Sequence, residues 1–230
     1  MATTVVFSGG PTQPGNLARA MSDARIGADT RPELVIAADG GLLACREAGL
    51  APDVVIGDMD SVPAAQLRQA DLEGARIEVH PRDKDATDLE LALDLAGGQS
   101  TDRLVVIGSG GGRLDHLLAG ITLLGAPQYA AMQIDAWLGV SRVVPVHDRR
   151  TIDADPGATL SLLALHGTAP DVSTEGLRWE LEHGILDSGR SRGCSNIVQS
   201  PPVEVCTAGT PVTVVIADHA LTEPQHWKAE

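Results

Sequence analysis

The chain has 230 residues, a formal net charge of −14, and only 2% aromatic residues, so its core must rest on Val, Leu, Ile and Ala. That length supplies one large domain or two modest ones, and the acidity argues against a nucleic-acid or anionic-membrane surface. It leaves room for a polyphosphate ligand, because bound metal reverses the local sign. Cys45, Cys194 and Cys206 are odd in number and form no CxxC motif, which fits free thiols in a reducing compartment rather than a disulfide framework or a zinc site. No signal peptide opens the chain and no apolar run reaches membrane-spanning length, so the expected location is the cytoplasm.

In chain order, TTVVFSGG reads as a first strand over 3–7 ending in Gly9 and Gly10, followed by a Pro/Gly loop and a helix over 16–24. LVIAADGG is a second buried strand, LLACREAG its helix, and VVIGDMDS the third strand. PAAQLRQADLEG predicts a helix with Pro63 in its first turn, where proline is tolerated. RIEVHP is a fourth strand, PRDKDATDLELALDLAGG a loop and helix, and RLVVIGSGGG a fifth strand entering a glycine-rich turn before a helix over 113–124. Apolar strands alternating with helices imply a parallel sheet covered on both faces, and ligands of such sheets sit beyond the carboxyl ends of the strands. After about Pro127 the texture changes to short, partly alternating runs (QIDAWLG, SRVVPVH, ATLSLLAL, GLRWELEHGILD, PPVEVCT, TPVTVVIAD), the spacing of an antiparallel sandwich or barrel. The expectation is two domains, residues 1–127 and 128–230.

Four clusters at strand ends carry the chemistry: Asp39 in ADGG, Asp58 and Asp60 in GDMDS, Asp83, Lys84, Asp85, Thr87 and Asp88 in DKDATD, and Gly108 to Gly112 with Arg113, Asp115 and His116 in GSGGGRLDH. Asp58 and Asp60 stand at i, i+2, and extended backbone there would project both carboxylates to one side. Two close anions are costly without a cation or a shared proton, which points to a divalent metal. Mg²⁺ takes oxygen ligands, commonly one or two carboxylates plus substrate phosphates. The glycine turn opening a helix offers backbone N–H groups to phosphate. Plainer readings stand beside these. A lone Asp39 is a turn former or cap, Thr87 and Glu90 fit a capping box, and Asp88 complements a helix dipole. The glycine run lacks Walker or full GxGxxG spacing, and His80 and His147 read as structural. The co-occurrence of acids at three successive strand ends favours a metal–phosphate site.

ADGG, GDMDS, DKDATD and GGGRLDH, in this order, resemble the signature set of thiamine pyrophosphokinases, and GLRWELEHGILDSGRSRGCSN resembles that family's second domain. The resemblance implies a Rossmann-like α/β domain followed by an antiparallel β-sandwich, acting as a homodimer with thiamine pockets between subunits. It implies Mg²⁺-dependent transfer of a pyrophosphoryl group from ATP to the hydroxyethyl oxygen of thiamine, giving thiamine diphosphate and AMP. Carried over, the metal ligands would be Asp39, Asp58, Asp60 and Asp88. Asp85 and Asp115 would lie near the nucleotide or thiamine, either being a candidate general base. Gly40, Gly110 and Gly111 would line the phosphates, which Lys84 and Arg113 would face. Ser195 and Asn196 would serve the thiamine end, with Trp179, Trp137 or Trp227 stacking on its rings. The competing expectations are a catalytically silent thiamine- or nucleotide-binding relative and a metal-dependent phosphohydrolase with an aspartyl nucleophile.

Overall fold

The computed structural model describes residues 1–9, 12, 14–27, 30–108 and 110–217; Gly10 and Trp227, named above, and Ser109 of the GSGGGRLDH motif lie outside them. The chain forms two compact units, residues 1–139 and 140–230.

The first unit is a parallel sheet with helices. Its strands are β1 (Thr3–Ser8), β2 (Leu34–Ala38), β3 (Val54–Gly57), β4 (Arg76–Val79), β5 (Arg103–Gly108) and β6 (Gln133–Leu138), in the order β6-β5-β1-β2-β3-β4. Each neighbouring pair is parallel. Helices α1 (Pro14–Asp23), α2 (Gly41–Glu47), α3 (Ala64–Leu72), α4 (Asp88–Gly97) and α5 (Leu114–Leu124) make the connections. The central strands β1, β2 and β5 are buried along nearly their whole length, as a sheet covered on both faces requires. One layer of core joins Val5, Phe7, Val35, Val105 and Ile107 to Leu17 and Met21 of α1. Another sets Ala37 and Val55 against Leu42 of α2 and Ala70 of α3.

Four expectations are corrected here. The segment QIDAWLG, read as the start of the second domain, pairs in parallel with β5 from Arg103↔Gln133 to Gly108↔Leu138, so the first unit runs to Gly139 rather than to 127. Trp137 within it is a core residue and presents no free ring for stacking. The third strand stops at Gly57, so Asp58 and Asp60 do not lie in extended backbone. Pro63 and Arg113 are the N-caps of α3 and α5 rather than their first helical residues.

The second unit has two antiparallel sheets. One is ordered β12-β9-β14-β7, built from β7 (Ser141–Val146), β9 (Thr159–Leu163), β12 (Asn196–Ile197) and β14 (Val212–Ala217). The other is β11-β10-β13-β8, from β8 (Arg149–Ile152), β10 (Ala169–Glu175), β11 (Gly184–Leu186) and β13 (Val203–Cys206). Their inward residues form one core that includes Val144, Ile152, Leu160, Leu162, Val205 and Val214, the packing of a β-sandwich. Among the described residues no helix is long and apolar enough to cross a membrane.

Candidate active site

The acids gather at the carboxyl ends of β2 and β3. Asp39 follows β2 with φ +44, its N–H donating to the Ile56 carbonyl at 2.9 Å, which ties the turn to β3. Beyond Gly57, Met59 takes φ +63 and the Asp60 N–H donates to Asp58 Oδ1 at 3.1 Å. A left-handed residue between them, rather than strand pleating, turns both carboxylates one way. Such conformations in non-glycine residues are uncommon and gather at functional sites. The result is that Asp39, Asp58 and Asp60 each bring a carboxylate oxygen within 4.8 Å of the others.

Asp88 joins them from the start of α4, where Thr87 caps the helix by accepting from the Glu90 N–H at 3.2 Å. Gly57 is what lets it approach. A Cβ there would lie 2.9 Å from Asp88 Oδ1 and 3.1 Å from Asp39 Cβ, at φ +143. In the ADGG motif the sterically required glycine is Gly41, whose Cβ would fall 2.1 Å from the Phe7 carbonyl oxygen; at Gly40 the nearest atom would be 3.4 Å away.

Two cations hold the cluster. Lys84 Nζ lies 3.1 Å from Asp88 Oδ1 and 3.5 Å from Asp58 Oδ2, and its side chain is only 14% exposed. Burial pulls its pKa down, but the two carboxylates outweigh that and the net direction is up. The Asp60 N–H, helped by Lys84 and opposed by burial, holds the Asp58 carboxyl below its ordinary value. Arg82, not singled out from the sequence, pairs with Asp60 at 2.5 Å, and Ser61 Oγ donates to the same carboxylate at 2.9 Å. Four acids against two bases leave the cluster at −2. Among the described residues Asp39 Oδ1 is shielded from solvent and has no hydrogen-bond partner, a costly state for a carboxylate oxygen unless something binds it. An all-oxygen donor set with an unsatisfied buried oxygen fits a hard divalent cation.

The structure does not bring every expected residue to this cluster. Asp85 is exposed in the loop before α4. Arg113 and Asp115 pair with each other through contacts of 3.2 and 2.6 Å, both largely exposed, and the guanidinium holds the Asp115 carboxyl down at about 2. In the glycine turn, Gly110 (φ +62) packs so closely that a Cβ would sit 2.5 Å from the Leu138 carbonyl group. Gly111 is exposed in the same turn. A small cleft of about 170 Å³ lined by Thr3, Arg25, Arg31 and Arg103 lies at the amino-terminal ends of β1 and β5, away from the acids.

In the second unit Trp179 is 55% exposed, with the Arg178 guanidinium over its ring at 4.9 Å. Asn196 is buried and hydrogen-bonded to the Trp179 backbone. Ser195 is exposed at φ +60, its N–H donating to Ser161 Oγ at 3.1 Å.

Comparison with known proteins gives this arrangement its context. Residues 30–136 match the family model "Thiamin pyrophosphokinase, catalytic domain", and residues 149–210 match "Thiamin pyrophosphokinase, vitamin B1 binding domain". The chain belongs to the thiamine pyrophosphokinase family. Thiamine pyrophosphokinase of Bacillus subtilis is 37% identical over 40% of this chain and 42% of its own length, so the aligned segment spans less than half of that relative. Thiamine pyrophosphokinase 1 of rice (Oryza sativa subsp. japonica) is 28% identical over 77% of this chain and 69% of its own length. The crystal structure of the Bacillus subtilis thiamine pyrophosphokinase superposes with a TM-score of 0.76, covering 95% of this chain and all of that one at 21% identity, a likeness of fold. The catalytic-domain match contains the whole acid cluster with its two cations. The vitamin B1 match contains Trp179, Ser195 and Asn196.

Proposed function

We propose that this chain is a thiamine diphosphokinase, transferring a pyrophosphoryl group from ATP to the hydroxyethyl oxygen of thiamine and releasing AMP. The observation that carries the reading is the convergence of Asp39, Asp58 and Asp60 within 4.8 Å, with Asp88 against the same glycine, in a member of the thiamine pyrophosphokinase family. Asp39, Asp58, Asp60 and Asp88 would hold Mg²⁺. Bound there, the ion supplies positive charge that neutralises phosphate oxygens and orients them.

The protein's own task in phosphoryl-type transfer is positioning and electrostatics. Lys84 and Arg82 lie in contact with the acids and are placed to exchange carboxylate for phosphate oxygens as a triphosphate docks. Gly40, Gly110 and Gly111 offer backbone to the phosphates, and Arg113 faces them while still holding Asp115. With its carboxyl at about 2, Asp115 in this pairing is a weak general base, because proton abstraction favours a pKa near the working pH; its acidic charge suits cationic thiamine instead. Asp85, exposed beside Lys84, is left as the candidate base. In the second unit the exposed Trp179 ring serves thiamine's rings, with Ser195 beside it. The protein works in the cytoplasm as a homodimer; the outward-facing Leu114 and Leu118 of α5, 67% and 57% exposed, support the pairing of two copies, and light scattering on the purified protein tests it.

Replacing Asp58 or Asp60 by Asn removes a metal-binding charge without adding bulk. Both variants should fold normally and lose turnover of Mg²⁺, ATP and thiamine. Near-normal rates in both would remove this cluster from the reaction.

A further inference from the structure

We infer that Asn196 is a positioning residue for Trp179, its side-chain amide standing in for one more peptide group of a β-ladder. The inference rests on the reading of Trp179 as the surface that meets thiamine. The segments 176–179 and 196–199 run side by side. The Gln199 N–H donates to the Gly176 carbonyl at 2.8 Å, Leu177 bridges Val198, and the Arg178 N–H donates to the Ile197 carbonyl at 2.9 Å. One residue further on the backbone pairing ends, because Ser195 turns away in the left-handed region at φ +60. The Asn196 carboxamide continues it. Oδ1 accepts from the Trp179 N–H at 3.1 Å, and Nδ2 donates to the Trp179 carbonyl at 2.7 Å. Oδ1 also accepts from the Ile197 N–H at 2.8 Å, so both of its lone pairs are engaged.

The burial pattern inverts the usual one. The polar Asn196 is 5% exposed while the large apolar Trp179 is 55% exposed. A carboxamide this fully engaged has little left for a ligand, so its effect passes through the tryptophan and not through direct substrate contact. Holding both backbone groups of Trp179 fixes where its Cα–Cβ bond points. Arg178 covers one face of the indole, and the other face is offered to a cationic aromatic ring, which a tryptophan attracts. At neutral pH an amide supplies one donor and one acceptor side by side, which an ionised carboxylate does not. Aspartate keeps the accepting oxygen but sets a second oxygen against the Trp179 carbonyl.

The test is a double-mutant cycle on the full chain, with Trp179→Ala, Asn196→Asp and the double variant assayed with thiamine and ATP varied separately. Trp179→Ala and Asn196→Asp should each raise KM for thiamine roughly tenfold, the scale of one cation–π contact, and leave kcat and KM for ATP within about twofold. In the Trp179→Ala background Asn196→Asp should add nothing, since its route to the substrate is gone. A normal thiamine KM in Asn196→Asp beside a raised one in Trp179→Ala overturns the inference but not the thiamine reading. So does an equal penalty from Asn196→Asp in both backgrounds. A normal thiamine KM in Trp179→Ala overturns both. Should the aspartate variant fail to fold, amide hydrogen exchange on the unaltered chain decides: the Trp179 N–H should be protected although its side chain faces solvent, and exchange at an open-loop rate overturns the inference.

Discussion

Replacing Lys84 by methionine removes the ammonium that lies 3.1 Å from Asp88 Oδ1 and 3.5 Å from Asp58 Oδ2 and keeps a similar unbranched stem. Each contact is worth about 1 kcal/mol in bulk water and about 5 kcal/mol at an effective dielectric of about 20. A free divalent ion entering the cluster must compete with that ammonium. Taking only the aqueous lower bound, about 2 kcal/mol for the two contacts, the variant should bind a free divalent ion roughly thirtyfold more tightly than the parent. The assay is titration with Mn²⁺ in the absence of nucleotide, following the free ion by electron paramagnetic resonance. A second readout follows from the same charges. Without metal, the variant leaves Asp58 and Asp88 less compensated, so its melting temperature should fall, and saturating Mn²⁺ should restore it. Turnover should drop despite the tighter metal, because a cation has been taken from the surroundings of the phosphates. Unchanged or weaker Mn²⁺ binding would refute the idea that Lys84 occupies the position a metal needs.

The glycines of ADGG should separate in a stability assay. Gly41→Ala sets a methyl 2.1 Å from the Phe7 carbonyl oxygen, whereas Gly40→Ala finds its nearest atom at 3.4 Å. In urea unfolding the first should cost about 3 kcal/mol or more and the second under about 1 kcal/mol; equal costs would contradict the close seating of α2 on β1. The cysteines should differ in reactivity. Cys45 is buried and its thiol is pushed up to about 12, mainly by that burial, while Cys194 is exposed. Alkylation reads the thiolate, so iodoacetamide at pH 8 should label Cys194 and leave Cys45 until the protein unfolds. The same shift fixes a sign with pH. The unfolded thiol loses its proton first as pH rises above about 9, so the stability contributed at Cys45 declines from there toward the folded value. An alkaline melting series on Cys45→Ala should lack that decline.

Much of the first unit is legible in the sequence because its central strands are buried on both faces and therefore appear as uninterrupted apolar runs ending in glycine or acid. The sixth strand is hard to place in its unit for a related reason. QIDAWLG has the same texture as the sandwich strands after it, and only its parallel pairing with β5 distinguishes it. Strand β10, APDVSTE, offered no alternation to find, since a register shift between Ala169 and Val172 and a left-handed Asp171 interrupt it.

The candidate site was legible as residue types and not as geometry. Asp39, Asp58, Asp60 and Asp88 do come together, but Asp58 and Asp60 converge through the left-handed Met59, which no i, i+2 rule anticipates. Arg82 went unremarked because a lone arginine in an exposed loop is ordinarily a solvated charge; its pairing with Asp60 exists only once the loop meets the end of β3. The sequence signal for Gly57 is a glycine immediately before paired acids at a strand end. The clamp of Asn196 on Trp179 depends on two segments 17 residues apart running side by side, and no local pattern announces it.

The most direct trial of the account is phosphorus NMR of the purified protein incubated with ATP, thiamine and Mg²⁺. The signals of AMP and thiamine diphosphate should grow together in equal amounts, and chelation of the metal should stop both. Formation of ADP with thiamine monophosphate, or of inorganic phosphate alone, would contradict pyrophosphoryl transfer at the acid cluster.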